Sequence, residues 1–330
     1  MPSRPCFLVS CLLFIALPAI GACQVNKDFV PIETRNERDL SIPFLKLDPR
    51  PWVLDKHEQS LTWGFTAAND IRIMNVNGVQ KIYEDYENDI VMARYRQGLG
   101  NGMDFTIDTT LISRGGGFLD PFIDGWHRLL GLTNNVRTGI PYGQCLIEIP
   151  GSGPYRDAIG IGDVAGMLTK ALTPRLMGTV AIKLPTGNSH QILGSGNFDG
   201  AFDLQYRVPV THRWMLQFQG GIVGQGTSTE LQGTRGINPQ AAIVVMHKAN
   251  RKDSYVFQWQ TEESGIVTGV GGSDSPHRLL SFAYQHNISP TRMWEVFISD
   301  DGDFVNTFHD PEIANIGPEP TLGVRYVVKF

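Results

Sequence analysis

From about residue 58 to its end the chain alternates apolar and polar positions with a period of two. Trp214, Leu216, Phe218 and Ile222 fall on one face of a stretch whose other face carries Gln217, Gln219 and Gly221. Tyr255, Phe257 and Trp259 alternate with Gln258 and Gln260, and Trp294, Val296 and Ile298 with Glu295 and Ser299. Such alternation makes a strand with one apolar and one polar face. The pattern predicts strands over 58–71, 88–97, 103–113, 159–171, 175–185, 198–209, 213–224, 239–249, 254–263, 279–288, 292–300 and 320–330. That is twelve, and a further hairpin near Gln144–Ile149 would raise the number to fourteen.

The connections alternate as well. Gly98–Gly102, 173–175, 211–212, 249–252 and 289–291 are tight, whereas 75–88, 115–156, 185–197, 225–238, 264–277 and 301–319 are long. A soluble sandwich would also alternate along its strands. These strands, however, are long enough to cross a bilayer at a tilt, and Trp63, Trp214, Tyr284, Trp294 and Tyr326 cluster at their ends. Short turns on one side and long loops on the other are the order of a membrane barrel. The expected fold is all-β: a transmembrane antiparallel up-and-down barrel of about twelve strands, with both chain ends in the periplasm.

The first residues read differently. Arg4, the apolar run Phe7–Ile20 and the small residues Gly21-Ala22 before Cys23 make a secretory signal over 1–22. Ile20-Gly21-Ala22-Cys23 also resembles a lipobox, so Cys23 is a candidate for lipidation, with ordinary cleavage as the alternative. Residues 23–57 are then expected as an N-terminal periplasmic segment ahead of a barrel over 58–330. Cys6 and Cys11 leave with the signal, and Cys145 is alone in the body, which gives no disulfide framework or metal site.

Composition changes little. The chain is 42% hydrophobic and 18% charged, with a mean hydropathy of −0.13, values a barrel shares with soluble proteins because its lipid face is hidden by alternation. The formal charge is −5 and no basic tract occurs, which argues against nucleic acid.

The long outer connection 114–158 breaks the β pattern. In Phe118–Leu132, Phe122, Ile123, Trp126, Leu129 and Leu130 recur at helical spacing. A one-sided helix here could plug or cap the lumen, lie in the membrane interface, or pack among loops. Its apolar residues need a surface, and the capping alternative predicts that it gates the barrel. Pleat parity turns Asp104, Asp108, Asp163, Lys183, Asp203, Arg207, Glu295 and Arg325 toward the lumen. Asp163 and Lys183 lie on adjacent strands, where they would either pair or stand solvated. Both signs are present, as in a small water-filled or plugged lumen. At the end of the chain Tyr326, Val328 and Phe330 form the apolar comb that resembles the assembly signal of outer-membrane barrels.

Gly160-Ile161-Gly162-Asp163, Lys183-Leu184-Pro185-Thr186-Gly187 and Gly194-Ser195-Gly196 resemble a pattern in meta-pathway phenol-degradation outer-membrane transporters. Over residues 30–330 the chain looks closer to an uncharacterised domain-of-unknown-function family of outer-membrane barrels. Asn36-Glu37, Pro43-Phe44, Tyr95-Arg96, the Asp120–Gly131 helix, Arg137, Gly160–Asp163 and Phe330 carry that resemblance. It implies the barrel and brings no activity.

The sequence favours a passive channel or facilitator for a small solute. A non-conducting structural or adhesive barrel acting through its outer loops is the first alternative, and an outer-membrane hydrolase the second. The hydrolase is disfavoured because His212, His247 and His286 lie near the short turns and no nucleophile motif occurs. No cofactor or metal is expected. The expected partners are outer-membrane lipids, the barrel-assembly machinery and periplasmic chaperones.

Overall fold

The computed structural model describes residues 29–130, 139–301 and 320–330. The signal segment 1–22 and Cys23 lie outside the described residues, as do the side chains of Trp126 and Leu130. Fifteen strands form one sheet. They are β1 (Gln59–Val76), β2 (Val79–Gly100), β3 (Met103–Gly115), β4 (Leu146–Ile149), β5 (Ser152–Tyr155), β6 (Ala158–Ile161), β7 (Val164–Ala171) and β8 (Leu176–Leu184), then β9 (Asp199–Pro209), β10 (Trp214–Gly224), β11 (Ile237–Lys248), β12 (Asp253–Glu262), β13 (His277–Ser289), β14 (Arg292–Asp300) and β15 (Thr321–Lys329). A helix, α1 (Asp120–Leu130), follows β3.

Neighbouring strands are antiparallel, and β15 returns to pair with β1 from Ser60 opposite Lys329 to Ala68 opposite Thr321. Gln59 and Phe330 exchange backbone hydrogen bonds of 2.9 and 3.0 Å, closing the ring at the chain end. β6 and β7 are two halves of one stave. Opposite Thr109–Thr110 of β3 the chain bulges through Gly162–Asp163, and the register shifts by one. With that stave counted once and the short β4–β5 hairpin left out of the wall, the barrel has twelve strands.

Two outer connections differ from expectation. The stretch 75–88 is not a loop: β1 and β2 run on as a tall hairpin to Asn77-Gly78, where φ is +52° and +75°. Asn-Gly suits the two positive φ values of the turn that fits twisted strands, so the pair is a hairpin signal. The hairpin at 144–149 forms as β4–β5 but lies on the overhang of β2, with Tyr83 opposite Glu148. It therefore adds no stave to the wall.

The larger correction concerns residues 29–54. They do not form a periplasmic segment; nearly all are buried inside the barrel. Phe29 lies at the short-turn end beneath Lys248, whose Nζ is 4.9 Å from the ring centroid. The chain climbs the β11–β13 side, where Val30 accepts from Gln285 at 2.9 Å and Ile32 from Gln258 at 2.8 Å. It turns over at 38–44, held by Ile42 N–H donating to Arg38 O at 3.0 Å and by the Arg35 guanidinium donating to Ser41 O at 2.6 Å. It descends past β9–β11, with Leu45 on Asp199, Leu47 on Gln240 and Arg50 on Gln205. It leaves where Leu54 donates to Asp104 at 3.0 Å, one turn before β1. The N-terminal segment is a loop inserted into its own barrel.

Candidate functional site

The lumen exists because the wall is polar at alternate positions and the inserted loop has backbone groups to satisfy. An irregular loop carries unpaired N–H and C=O groups, and buried ones need partners. Glutamines supply them. Gln219 reaches Leu47 O at 3.2 Å, Gln217 reaches Arg50 O at 3.1 Å, and Gln205 accepts from Arg50 N–H at 2.9 Å. Gln217 and Gln219, on the polar face that the alternation predicts, and Gln205 beside them are thus the mould of the inserted loop.

Charges lock the same contact. Arg94 of β2 meets Asp48 of the descending arm at 2.7 Å, Glu33 of the ascending arm at 3.2 Å, and Asp108 of β3. Arg325 of β15 meets Glu33 at 2.7 Å and Glu295 of β14 at 2.8 Å. Higher up, Arg38 at the tip bonds Glu84 at 3.0 Å and Ser273 Oγ at 2.7 Å, while Arg114 holds Asp39 at 3.0 Å. Lys46 bonds Glu262 at 3.1 Å. Buried charges are tolerated when paired in this way.

Apolar contacts complete the fit. Phe29 and Ile32 pack on Met215, Val244, Met246, Val256 and Phe297. Leu45 and Leu47 pack on Ala165, Met167 and Val223. The tip residues Leu40 and Phe44 join Ile147, Ile192, Leu231, Ile266 and Val270 from the outer connections in one cluster at the long-loop end. Gly265 is required there, because a Cβ would sit 2.7 Å from the Phe44 ring and 2.8 Å from Leu40 O.

The polar residues singled out in the sequence are placed as follows. Asp104 pairs with Arg96, and Asp203 accepts from Gln205 at 2.8 Å and Gln219 at 2.6 Å. Arg207 bonds Gln217 at 2.7 Å and Arg50 O at 3.0 Å. Asp163 and Lys183 pair at 2.5 Å rather than standing solvated. Lys183 also donates to Ser195 Oγ at 2.6 Å, and Asp163 accepts from Gly187 N–H at 2.8 Å and Ser195 N–H at 3.1 Å. A Cβ at Gly194 would lie 2.4 Å from Asp163 Oδ1. The three glycine-containing motifs therefore meet at one bulge in the wall. Tyr326 and Val328 lie on the closing strand and Phe330 directly follows it, with Tyr326 and Phe330 exposed.

The helix does not enter the lumen. Leu119 and Ile123 cover Ala67, an outward residue of β1, with Leu322 of β15 beside them. Glu87, on the outer face of β2, accepts Leu119 N–H at 2.7 Å, and Asn69 donates to Asp120 at 2.9 Å. Phe122 and Leu129 are 51% and 78% exposed on the far side. This outcome overturns plugging and capping: α1 is an amphipathic helix seated on the outside of the wall. Sequence reasoning missed Glu33, Arg38, Asp48 and Arg50 as lumen residues. The signal available was a dense run of both charges between Glu33 and Arg50 with no strand alternation to place it.

Beside the loop a cavity of about 110 Å³ remains. Its apolar wall is Ile90, Met92, Ile112, Met167 and Leu193, and Arg94 and Asp108 face them.

Residues 8–249 match the family described as Protein of unknown function (DUF3187). Among curated proteins none matches the sequence. The crystal structure of the COG4313 outer membrane channel from Pseudomonas putida F1 superposes with a TM-score of 0.55 at 13% identity, covering 86% of this chain and 100% of that one. The P. putida toluene transporter TodX is similar at a TM-score of 0.37 and 10% identity, over 84% and 90% of the two chains. The NanC porin is similar at 0.46 and 7% identity, over 82% and 100%.

Proposed function

The chain belongs to the family described as Protein of unknown function (DUF3187), and from that premise we propose that it is a passive outer-membrane channel for a small solute, closed at rest by residues 29–54. The observation that carries this reading is the inserted loop itself. Both its ends lie at the short-turn end, which is the periplasmic side of an outer-membrane barrel. A loop tethered at one side can withdraw without unthreading the wall, so it serves as a gate.

The way the loop is held supports a movable element. Its contacts are side-chain hydrogen bonds, ion pairs and packing, and no backbone ladder joins it to the sheet. The 110 Å³ cavity marks where loop and wall fit least closely. An engineered cavity of about 150 Å³ takes up benzene, so this space suits a compact solute.

Planar-bilayer recording on refolded mature protein tests the reading. The full chain should show rare or small openings, and deletion of residues 29–54 should give large, steady ones, with the heat-modifiable barrel intact in both. A deleted, correctly folded barrel that carries no current would overturn the channel and favour the structural alternative.

A further inference from the structure

The wall holds the inserted loop largely by its peptide backbone. On the ascending arm the carbonyls of Val30, Ile32 and Thr34 accept from Gln285 at 2.9 Å, Gln258 at 2.8 Å and Gln260 at 3.4 Å. Ile32 N–H also donates to Gln258 Oε1 at 3.2 Å, so one glutamine meets both backbone groups of one residue. The Pro31 carbonyl between them accepts from Arg325 of β15 at 3.0 Å. The descending arm repeats the device. Leu47 donates to Gln240 at 2.9 Å and accepts from Gln219 at 3.2 Å, and Arg50 donates to Gln205 at 2.9 Å and accepts from Gln217 at 3.1 Å. All these glutamines are buried.

We propose that the solutes of this channel are short peptides, bound in extended form where residues 30–34 rest in the closed state. The inference rests on the channel reading, because that place falls free only when the loop withdraws. A glutamine amide carries a donor and an acceptor, the complement of a peptide group. Alternate residues of any strand-like chain are roughly 6.6 Å apart. Gln258 and Gln260, two apart on β12, therefore match Ile32 and Thr34, two apart on the arm, and match any extended peptide in the same way. Side chains are read less strictly: Ile32 lies against Met215, Val244, Met246 and Val256. Methionines adapt to varied apolar neighbours. A hydrocarbon in the same place would leave the glutamine amides without partners, a cost that a peptide avoids. Water serves those amides in the open lumen, so peptide binding is weak, as passage requires.

Trypsin digestion of the full mature protein in detergent tests the proposal. Arg38 and Lys46 are buried while the loop is seated, whereas Lys81, near the tip of the tall hairpin, is exposed. The probe is the blocked peptide acetyl-Ala-Ser-Ala-Ser-Ala-amide, which offers trypsin no cleavage site. By occupying the vacated place, saturating peptide should speed cleavage at Arg38 and Lys46 about tenfold or more and leave Lys81 unchanged. An analogue with alternate amides replaced by esters lacks those N–H donors and should need about tenfold higher concentration for the same effect. Polyethylene glycol of equal length should have none. Loop cleavage that no peptide concentration changes overturns the proposal, and so does equal potency of the ester analogue. Neither readout involves current, so failure here while the barrel lacking residues 29–54 conducts removes the peptide and leaves the channel standing.

Discussion

Arg325 on the closing strand and Glu33 on the inserted loop form a 2.7 Å ion pair across 292 residues of chain. Both are buried, and the pair latches the loop to the wall, although without Glu33 Arg325 keeps Glu295 and Arg94 keeps Asp48 and Asp108. Stranding one member of a buried pair costs about 3–5 kcal/mol, and these remaining partners place the cost of losing Glu33 below that. Glu33→Gln should therefore shift the loop toward its withdrawn state. The expected readouts are more frequent openings in bilayers and faster protease cleavage between residues 29 and 54, with heat-modifiability unchanged. Unaltered gating in a folded variant would show that the pair does not hold the loop.

The wall was legible in the sequence and its filling was not. Phe257–Gln258–Trp259 and Glu295–Val296 announce their faces because period-two alternation is local, and each residue reports its own side. The inserted loop has no such period. Glu33, Asp48 and Arg50 are placed by residues far away in the chain, Arg94 and Arg325 among them. Phe297 shows the same limit, since it interrupts the polar series of β14 and becomes intelligible only against Phe29. The Asp163–Lys183 pair lay within reach because adjacent strands and pleat parity place it. The helix α1 was recognised by its spacing, but spacing says nothing about which surface a helix covers.

Parity alone misjudges Gly323. It lies on the inward face of β15, where a side chain would be expected to reach a watery lumen, yet a Cβ there would sit 2.1 Å from the Phe297 ring. Gly323→Ala should therefore destabilise the barrel by forcing Phe297 aside, at about 1–3 kcal/mol for an overpacked site. Val324→Arg should cost about 2–4 kcal/mol if that outward position lies near the bilayer midplane. Equilibrium unfolding in vesicles compares the two, and a silent Gly323→Ala would mean that the inward face at β14–β15 is loosely filled.

Cys145 provides a check on the outer cap. It packs against the cluster that joins Leu40 and Phe44 to the outer connections. Burial, with a hydrogen bond to Asp157 adding to it, pushes its thiol up to about 12. The thiolate is the reactive form, so at pH 8 only ~10⁻⁴ of the folded protein carries it, against roughly a quarter for a free cysteine. Maleimide labelling at pH 8 should be slowed about a thousandfold relative to the unfolded chain, and should speed up as pH rises toward the folded value. The sign follows from the neutral form being favoured in the fold: its contribution is present below the free-thiol pKa and is lost as pH climbs through 12. Rapid labelling of the folded protein would show that the cap opens.

The position of α1 predicts what its removal will do. Its buried residues, Leu119 and Ile123, cover Ala67 on the outside of β1, and none of its described contacts reaches the inserted loop. Excising Phe118–Leu132 should therefore leave single-channel conductance unchanged. The cost should appear in the wall instead. Glu87 and Asn69 face outward from β2 and β1, and the helix supplies the partners that satisfy them there. Losing these hydrogen bonds costs roughly 0.5–3 kcal/mol each, the upper end for the one to the Glu87 carboxylate. The excised barrel should unfold at lower temperature in gel-shift assays, and Ile123→Asp should reproduce part of that loss. Phe122 and Leu129 are exposed on the far side of the helix, and quenching by brominated lipid of a tryptophan placed singly at either position would show that this side meets the outer leaflet. A rise in conductance on excision, without loss of stability, would place the gate at the helix and return the inserted loop to a fixed filler of the lumen.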